Sequence, residues 1–177
     1  MTRDFVVREA RDPADVDAVR ALVLAHVGER ASTPGIEHMK ADAVRLPGLY
    51  IAPRGAIWLA QAGQEAVGCV ALRPLPGSVG EVKRMYVAPE WRGRGVGRAL
   101  LETLIERARA IGYQGLRLGT LADMTQAQAL YQSLGFVPIE RYRDDEMVDT
   151  EFYELTLDSS GSPRNDGTTS ASEHPFR

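Results

Sequence analysis

Between residues 87 and 101 the chain reads VAPEWRGRGVGRALL, with Gly93, Gly95 and Gly97 interleaved among Arg92, Arg94 and Arg98. A strand stopped by a proline, a turn of this composition and the start of a long amphipathic pattern together make an anion cradle. The first turn of a helix leaves N–H groups unpaired and partly positive, and glycines let an anion approach them closely. From residue 83 to 98 five basic side chains (Lys83, Arg84, Arg92, Arg94, Arg98) stand against one acid, Glu90, so this stretch carries +4 within a chain of formal charge -3. A phosphate-rich ligand is implied. A dinucleotide fingerprint needs glycine at its first, third and sixth places, but the sixth is Arg98 counted from Gly93 and Leu100 counted from Gly95. A nucleoside triphosphate loop needs Gly-Lys followed by Ser or Thr, and that triplet is absent.

Other chemistries find less support. Cys69, the single cysteine, sits in the apolar run VGCVAL and reads as core; Ser32, Ser78 and Ser133 have no histidine near them in sequence. No acyl-enzyme nucleophile is indicated. His26, His38 and His174 lack metal-ligand spacing, so no metal is expected. With 21 basic and 24 acidic residues, the chain lacks the overall basic excess that nucleic acid or an anionic membrane surface would select. One cysteine, no apolar leader and no run approaching ~18 apolar residues fit a soluble protein of a reducing, cytoplasmic compartment.

The elements that must hold the cradle follow from periodicity. A length of 177 residues suits one domain. Residues 158–177, rich in Ser, Gly, Thr and charge, cannot bury enough surface to offset ordering entropy and are read as a disordered tail, leaving residues 1–157 as the domain. DFVVRE reads as a strand. Asp12-Pro13 starts a helix with Val16, Val19, Leu22, Val23 and Val27 on one face, and a second helix spans about Ile36 to Leu46. AIWLAQA and EAVGCVALRPL form a hairpin. GEVKRMYVA follows as a strand whose alternation puts Val82, Arg84 and Tyr86 on one face and Glu81, Lys83, Met85 and Val87 on the other. A strong helix runs from Gly95 to Ile111, then GLRLGTL as a strand, MTQAQALYQSLG as a helix, and FVPIERY and TEFYELTL as strands. This order predicts an α/β fold, a mixed twisted sheet of about six to seven strands with helices on both faces.

Arg92-x-x-Gly95-x-Gly97 directly after KRMYV resembles the pyrophosphate loop of the GCN5-related N-acetyltransferases (GNAT), and AQALYQSLGFVPIERY resembles that family's second signature. The likeness covers roughly residues 3 to 157. It implies a single GNAT domain that binds acetyl-coenzyme A (acetyl-CoA) and passes the acetyl group to a primary amine. Backbone groups of Met85, Tyr86 and Val87 would pair with the pantetheine arm, and Arg92, Gly93, Arg94, Gly95, Val96, Gly97 and Arg98 would hold the pyrophosphate. Many members carry Asn seven residues before the helical Tyr; here that place is Met124, with Thr125 beside it. Members are frequently dimers, so a homodimer is admissible. A second reading keeps the cradle and loses turnover, as an acetyl-CoA sensor.

An alkyl ammonium of pKa about 10.4 is almost wholly protonated at neutral pH, so acetyl transfer needs a proton acceptor. By the resemblance Glu81 is the candidate base; the alternative is an exposed strand Glu paired with Lys83 or Arg84. Tyr131 would donate a proton to the departing thiolate; the alternative is core packing beside Leu130, Leu134 and Phe136. Six acids against Arg141 and Arg143 over residues 140 to 151 would draw a cationic small-molecule or peptide amine, unless they are a solvated loop. Trp58 and Tyr50 could line the acceptor cavity or belong to the core.

Overall fold

The computed structural model describes residues 4–144 and 147–157; the expected tail, 158–177, lies outside the described residues. The elements are β1 (Val6–Glu9), α1 (Pro13–Glu29), α2 (Glu37–Val44), β2 (Ala56–Ala62), β3 (Glu65–Pro74), β4 (Val79–Val87), a short 3-10 turn (Pro89–Trp91), α3 (Val96–Ile111), β5 (Gly115–Leu121), α4 (Thr125–Ser133), β6 (Val137–Ile139) and β7 (Thr150–Thr156). One seven-stranded sheet has the order β1-β2-β3-β4-β5-β7-β6. Its neighbours are antiparallel except β4 and β5. The expected strand over residues 136–142 is shorter, because only Val137–Ile139 pair with β7.

Two cores flank the sheet. Asp12 starts α1 by accepting from the Asp15 amide at 2.9 Å, with Pro13 at the first helical place, where a missing N–H costs nothing. The buried face of α1, with Val19, Leu22 and Val23, meets Ala43 of α2 and Leu59, Cys69, Ala71 and Tyr86 of the sheet. On the opposite face α3 buries Val96, Ala99, Leu100, Leu101, Leu104, Ile105 and Ala108, joined by Tyr131 and Leu130 of α4. Leu100, Leu101 and Leu104 are fully buried, each worth about 1.5–3 kcal/mol relative to exposure. The core therefore clamps α3, and with it the turn that precedes it, against β3 and β4. Among the described residues no helix is long and apolar enough to cross a membrane.

Trp58 is a core residue of the α3 face. Tyr50 packs in the α1 face and borders a cavity of about 460 Å³ between the start of α1 and the α2–β2 connection, which shares no lining residue with the gap described next. Neither aromatic belongs to that gap.

Candidate active site

The sheet forks. β4 and β5 pair over Val79–Glu81 against Gly115–Arg117, and among the described residues they pair no further. On its other edge β4 carries one extra residue: Cys69 faces Tyr86 while Ala71 faces Lys83. Arg84 sits in this bulge with a positive φ of 57°. A bulge bends and over-twists its strand, which draws the far half of β4 off β5 and leaves its backbone edge free of a strand partner. It also reverses side-chain parity. Val82, Met85 and Val87 pack towards α3, whereas Tyr86 packs towards α1, so the expected grouping of Val82 with Tyr86 does not hold.

At the mouth of the fork lies the glycine turn. Gly93 (φ 75°) and Gly95 (φ 82°), which caps α3, both adopt left-handed backbone, and a Cβ on either would meet nothing within 4 Å. That is open space in front of the first-turn amides of Val96, Gly97 and Arg98. Gly97 serves packing instead: its Cβ would lie 3.0 Å from Met85 Cε and 3.1 Å from Leu130 Cδ2, where α3 closes on β4 and α4. Arg92 braces the turn. Its Nε donates to the Val87 carbonyl at 2.9 Å, and its guanidinium pairs with Glu29 at 2.7 Å. Glu29 also accepts from the Tyr86 hydroxyl, tying the end of α1 to β4. Arg94 stacks over Trp91 at 5.0 Å, and Arg98 donates to Ser133 Oγ at 2.7 Å. Free amides, glycine clearance and an unpaired strand edge beside them fit a diphosphate continued by an extended arm.

Inside the fork a cavity of about 80 Å³ is bordered by Lys83 and Met85 of β4, Leu118 and Thr120 of β5, Tyr131 and Met124 of the α4 side, and His26 of α1. Met124, in place of the family's Asn, has its thioether 3.9 Å from the Thr120 hydroxyl. Tyr131 is buried with its ring edge-on to Phe136 at 5.9 Å, and burial raises its hydroxyl pKa. The hydroxyl therefore stays protonated and available as a donor. Packing and lining coexist in this residue.

Glu81 is neither exposed nor a wall of the cavity. One carboxylate oxygen is held by Arg73 (2.7 Å to Nε, 2.6 Å to Nη2), the other by Tyr142 Oη and Arg143 Nε at 2.7 Å each. Burial alone would raise its pKa, but the Lys83 charge, the Tyr142 hydrogen bond and the Arg73 and Arg143 charges outweigh that and hold it below the ordinary range. Its oxygens are thus engaged away from the cavity wall. The carboxylate is buried and not exposed on its strand, and its ion-pair partners are Arg73 and Arg143, with the Lys83 charge acting on it from two residues away. Arg84 pairs with Asp42 of α2.

The cavity wall instead presents Lys83 and His26, which the motifs did not single out. Lys83 has its pKa lowered to about 8 by burial, with Glu81 pulling the other way and Arg143, Arg84 and Arg73 pushing it further down. His26 is likewise lowered by burial, against Glu29 and together with Arg30, Arg92 and Arg84, so its imidazole is neutral at pH 7. One signal was available: Val19, Leu22, Val23, His26 and Val27 share one helical stripe, which puts the histidine on a buried face. Cys69 is fully buried, its thiol pushed up to about 12 by burial and donating to the Arg84 carbonyl at 3.2 Å, which suits core and not nucleophile.

Comparison with known proteins agrees with this architecture. Residues 25–136 match the model of the Acetyltransferase (GNAT) family. A Schizosaccharomyces pombe protein named as an uncharacterized N-acetyltransferase is 29% identical over 147 residues, 82% of this chain and 90% of the relative. A GNAT-family acetyltransferase structure from Staphylococcus aureus superposes with a TM-score of 0.74 at 23% identity, covering 87% of this chain and 99% of the other. A Salmonella typhimurium acetyltransferase solved with its cofactor acetyl-CoA gives a TM-score of 0.64 at 22% identity, covering 92% and 99%. A sheet forked at a β4 bulge, a glycine turn opening α3 and a family match that covers the first signature and the second as far as Phe136 place this chain in the GNAT family of acetyltransferases.

Proposed function

We propose that this protein is an N-acetyltransferase that moves the acetyl group of acetyl-CoA to a primary amine by direct attack in a ternary complex. The observation that carries this reading is the continuity of the glycine turn, the free edge of β4 and the cavity at the fork. The amides of Val96 to Arg98 would hold the pyrophosphate, with Arg94 and Arg98 at its rim, and Met85, Tyr86 and Val87 would offer backbone groups to the pantetheine arm. Acetyl-CoA supplies an activated acyl group and a thiolate that leaves tolerably without help, its thiol pKa being near 8.5. Tyr131 donates to that thiolate. His26, neutral and on the wall, takes the amine's proton, because Glu81 stands behind the wall with both oxygens engaged. Glu81 is then a positioning residue that holds Arg73, Tyr142 and Arg143 together behind the cavity wall.

A thiol-release assay over a panel of amines and peptides tests the reading. Tyr131→Phe is expected to lower kcat by about 10- to 100-fold, the low part of the general-acid range, since a thiolate needs little protonation. An unchanged rate at several pH values would reduce Tyr131 to packing. His26→Gln is expected to lower kcat/KM by about 100-fold at pH 7 and by less at pH 9, where solution supplies more free amine. An equal deficit at both pH values would deny His26 the proton. Acetyl-CoA binding seen by calorimetry, with no thiol release for any acceptor, would point to a sensor instead.

A further inference from the structure

Charge around the cavity is unbalanced in a way that bears on the acceptor. Four cations, Arg73, Lys83, Arg84 and Arg143, gather at the fork, where among the described residues Glu81 pairs with Arg73 and Arg143, and Asp42 with Arg84. Arg84 is matched by Asp42. Glu81 is shared between two guanidinium groups, Arg73 and Arg143. Among the described residues no carboxylate lies within ion-pair distance of Lys83, although the residue is half-buried on the cavity wall. Lys83 is thus the cation on the cavity wall with no carboxylate of its own. The surrounding charges are matched and do not supply the deficit: Arg92 pairs with Glu29, and Arg30 with Asp123.

Buried charge is stable when paired and costly when it is not. The thioester end of acetyl-CoA is neutral and its diphosphate belongs at the glycine turn, so the cofactor does not bring the missing anion. Nor do the described members of the acidic segment expected to draw a cationic amine. Glu140, Asp144, Asp149 and Glu151 are exposed, and none borders the cavity. Besides Lys83 and His26, the wall carries the apolar side chains of Ile36, Met39 and Met147.

Resting on the acetyl-transfer reading, we infer that the acceptor is an amino carboxylate whose carboxylate docks on Lys83 and whose apolar side chain lies against Ile36, Met39 and Met147. Arg143 and Arg73, held by Glu81, add to the attraction without themselves being released. Lys83 is a specificity-determining residue here, acting on the acceptor and not on the thioester. The reaction is unchanged by this docking. The amine nitrogen forms a bond to the acetyl carbon, the carbon–sulfur bond breaks, one amine proton goes to His26 and the thiolate is protonated by Tyr131.

Matched acceptors separate the two readings: methionine against 3-(methylthio)propylamine, and phenylalanine against 2-phenylethylamine, compared by kcat/KM for thiol release. The carboxylate-bearing member of each pair is expected to be favoured by about 10- to 100-fold, the range of a hydrogen bond to a charged group. Lys83→Met should bring that ratio to within about threefold, and Lys83→Arg should restore it, with melting curves confirming that both variants fold. If the plain amines are used as well as or better than the amino acids, or if Lys83→Met keeps the ratio, the docking inference falls while acetyl transfer stands. If no acceptor turns over, calorimetry with coenzyme A present decides. Methionine binding that is lost in Lys83→Met supports the docking and overturns acetyl transfer, and equal or absent binding overturns the docking.

Discussion

Glu81→Ala should cost the fold about 3–5 kcal/mol, the usual penalty for removing one member of a buried ion pair, because Arg73 and Arg143 lose the carboxylate that they share. For a domain of this size that is a fall of roughly 10 °C in melting temperature, measurable by calorimetry or circular dichroism. Glu81→Gln should lose less, since its carbonyl oxygen still accepts from one guanidinium. The sign of the pH dependence follows from the direction of the shift. The folded pKa of Glu81 lies below its ordinary value, so the folded state binds the proton less readily than the unfolded chain does. Its contribution is therefore complete above the unfolded pKa of about 4.3 and is lost as pH falls through the folded pKa. The gap in melting temperature between the wild type and Glu81→Gln should stay constant from neutrality to about pH 5 and narrow below it. A gap independent of pH down to the acid transition would show that the carboxylate charge is not what holds the two arginines.

Gly95→Val is expected to raise the dissociation constant for acetyl-CoA by at least about 100-fold while destabilising the fold by no more than about 3 kcal/mol. The residue caps α3 at φ 82°, a conformation that costs an L-residue roughly 1–2 kcal/mol and a β-branched one more. No neighbour lies within 4 Å of the new Cβ, so the fold is not driven apart by a clash. The damage falls on the anion site: either the side chain takes the space in front of the Val96 to Arg98 amides, or the backbone relaxes and re-aims them. Gly112 provides the control. It ends α3 at φ 99°, again with nothing within 4 Å of a Cβ, but at the opposite end of the helix. Gly112→Val should destabilise the protein to a similar degree and leave acetyl-CoA affinity within about twofold. Equal loss of affinity in both variants would mean that general destabilisation, and not the cradle, accounts for the effect.

Most of the fold was legible in the chain because local periodicity and punctuation determine elements. The capped start of α1 at Asp12-Pro13, the hairpin of β2 and β3 around Gly63, the apolar stripe of α3 and its glycine stop at Gly112 are each specified by residues within a few positions of one another. The glycine turn that opens α3 was legible for the same reason: a helix N-terminus, its glycines and its arginines are contiguous. Membership of the GNAT family was readable from two such contiguous signatures in order.

Long-range neighbours were not legible. Arg73 comes to Glu81 from β3, and Tyr142 and Arg143 from the loop before β7, so only pairing of β3 with β4 and folding of that loop bring them there. A strand glutamate looks the same in sequence whether it faces solvent or two guanidinium groups. The bulge at Arg84 was also hidden, since it is a mismatch between two strands and belongs to neither alone. It reversed the faces of β4 and put Lys83 and His26 on one cavity with Tyr131.

The order of residues alone determined which elements form, where the glycine turn opens α3 and to which family of acetyltransferases the chain belongs, because those depend on neighbours along the backbone. Which carboxylate is free, which is spent and which cation is left without a partner depended on groups far apart in the chain, and electrostatic pairing is decided only where the tertiary structure brings them within a few ångströms.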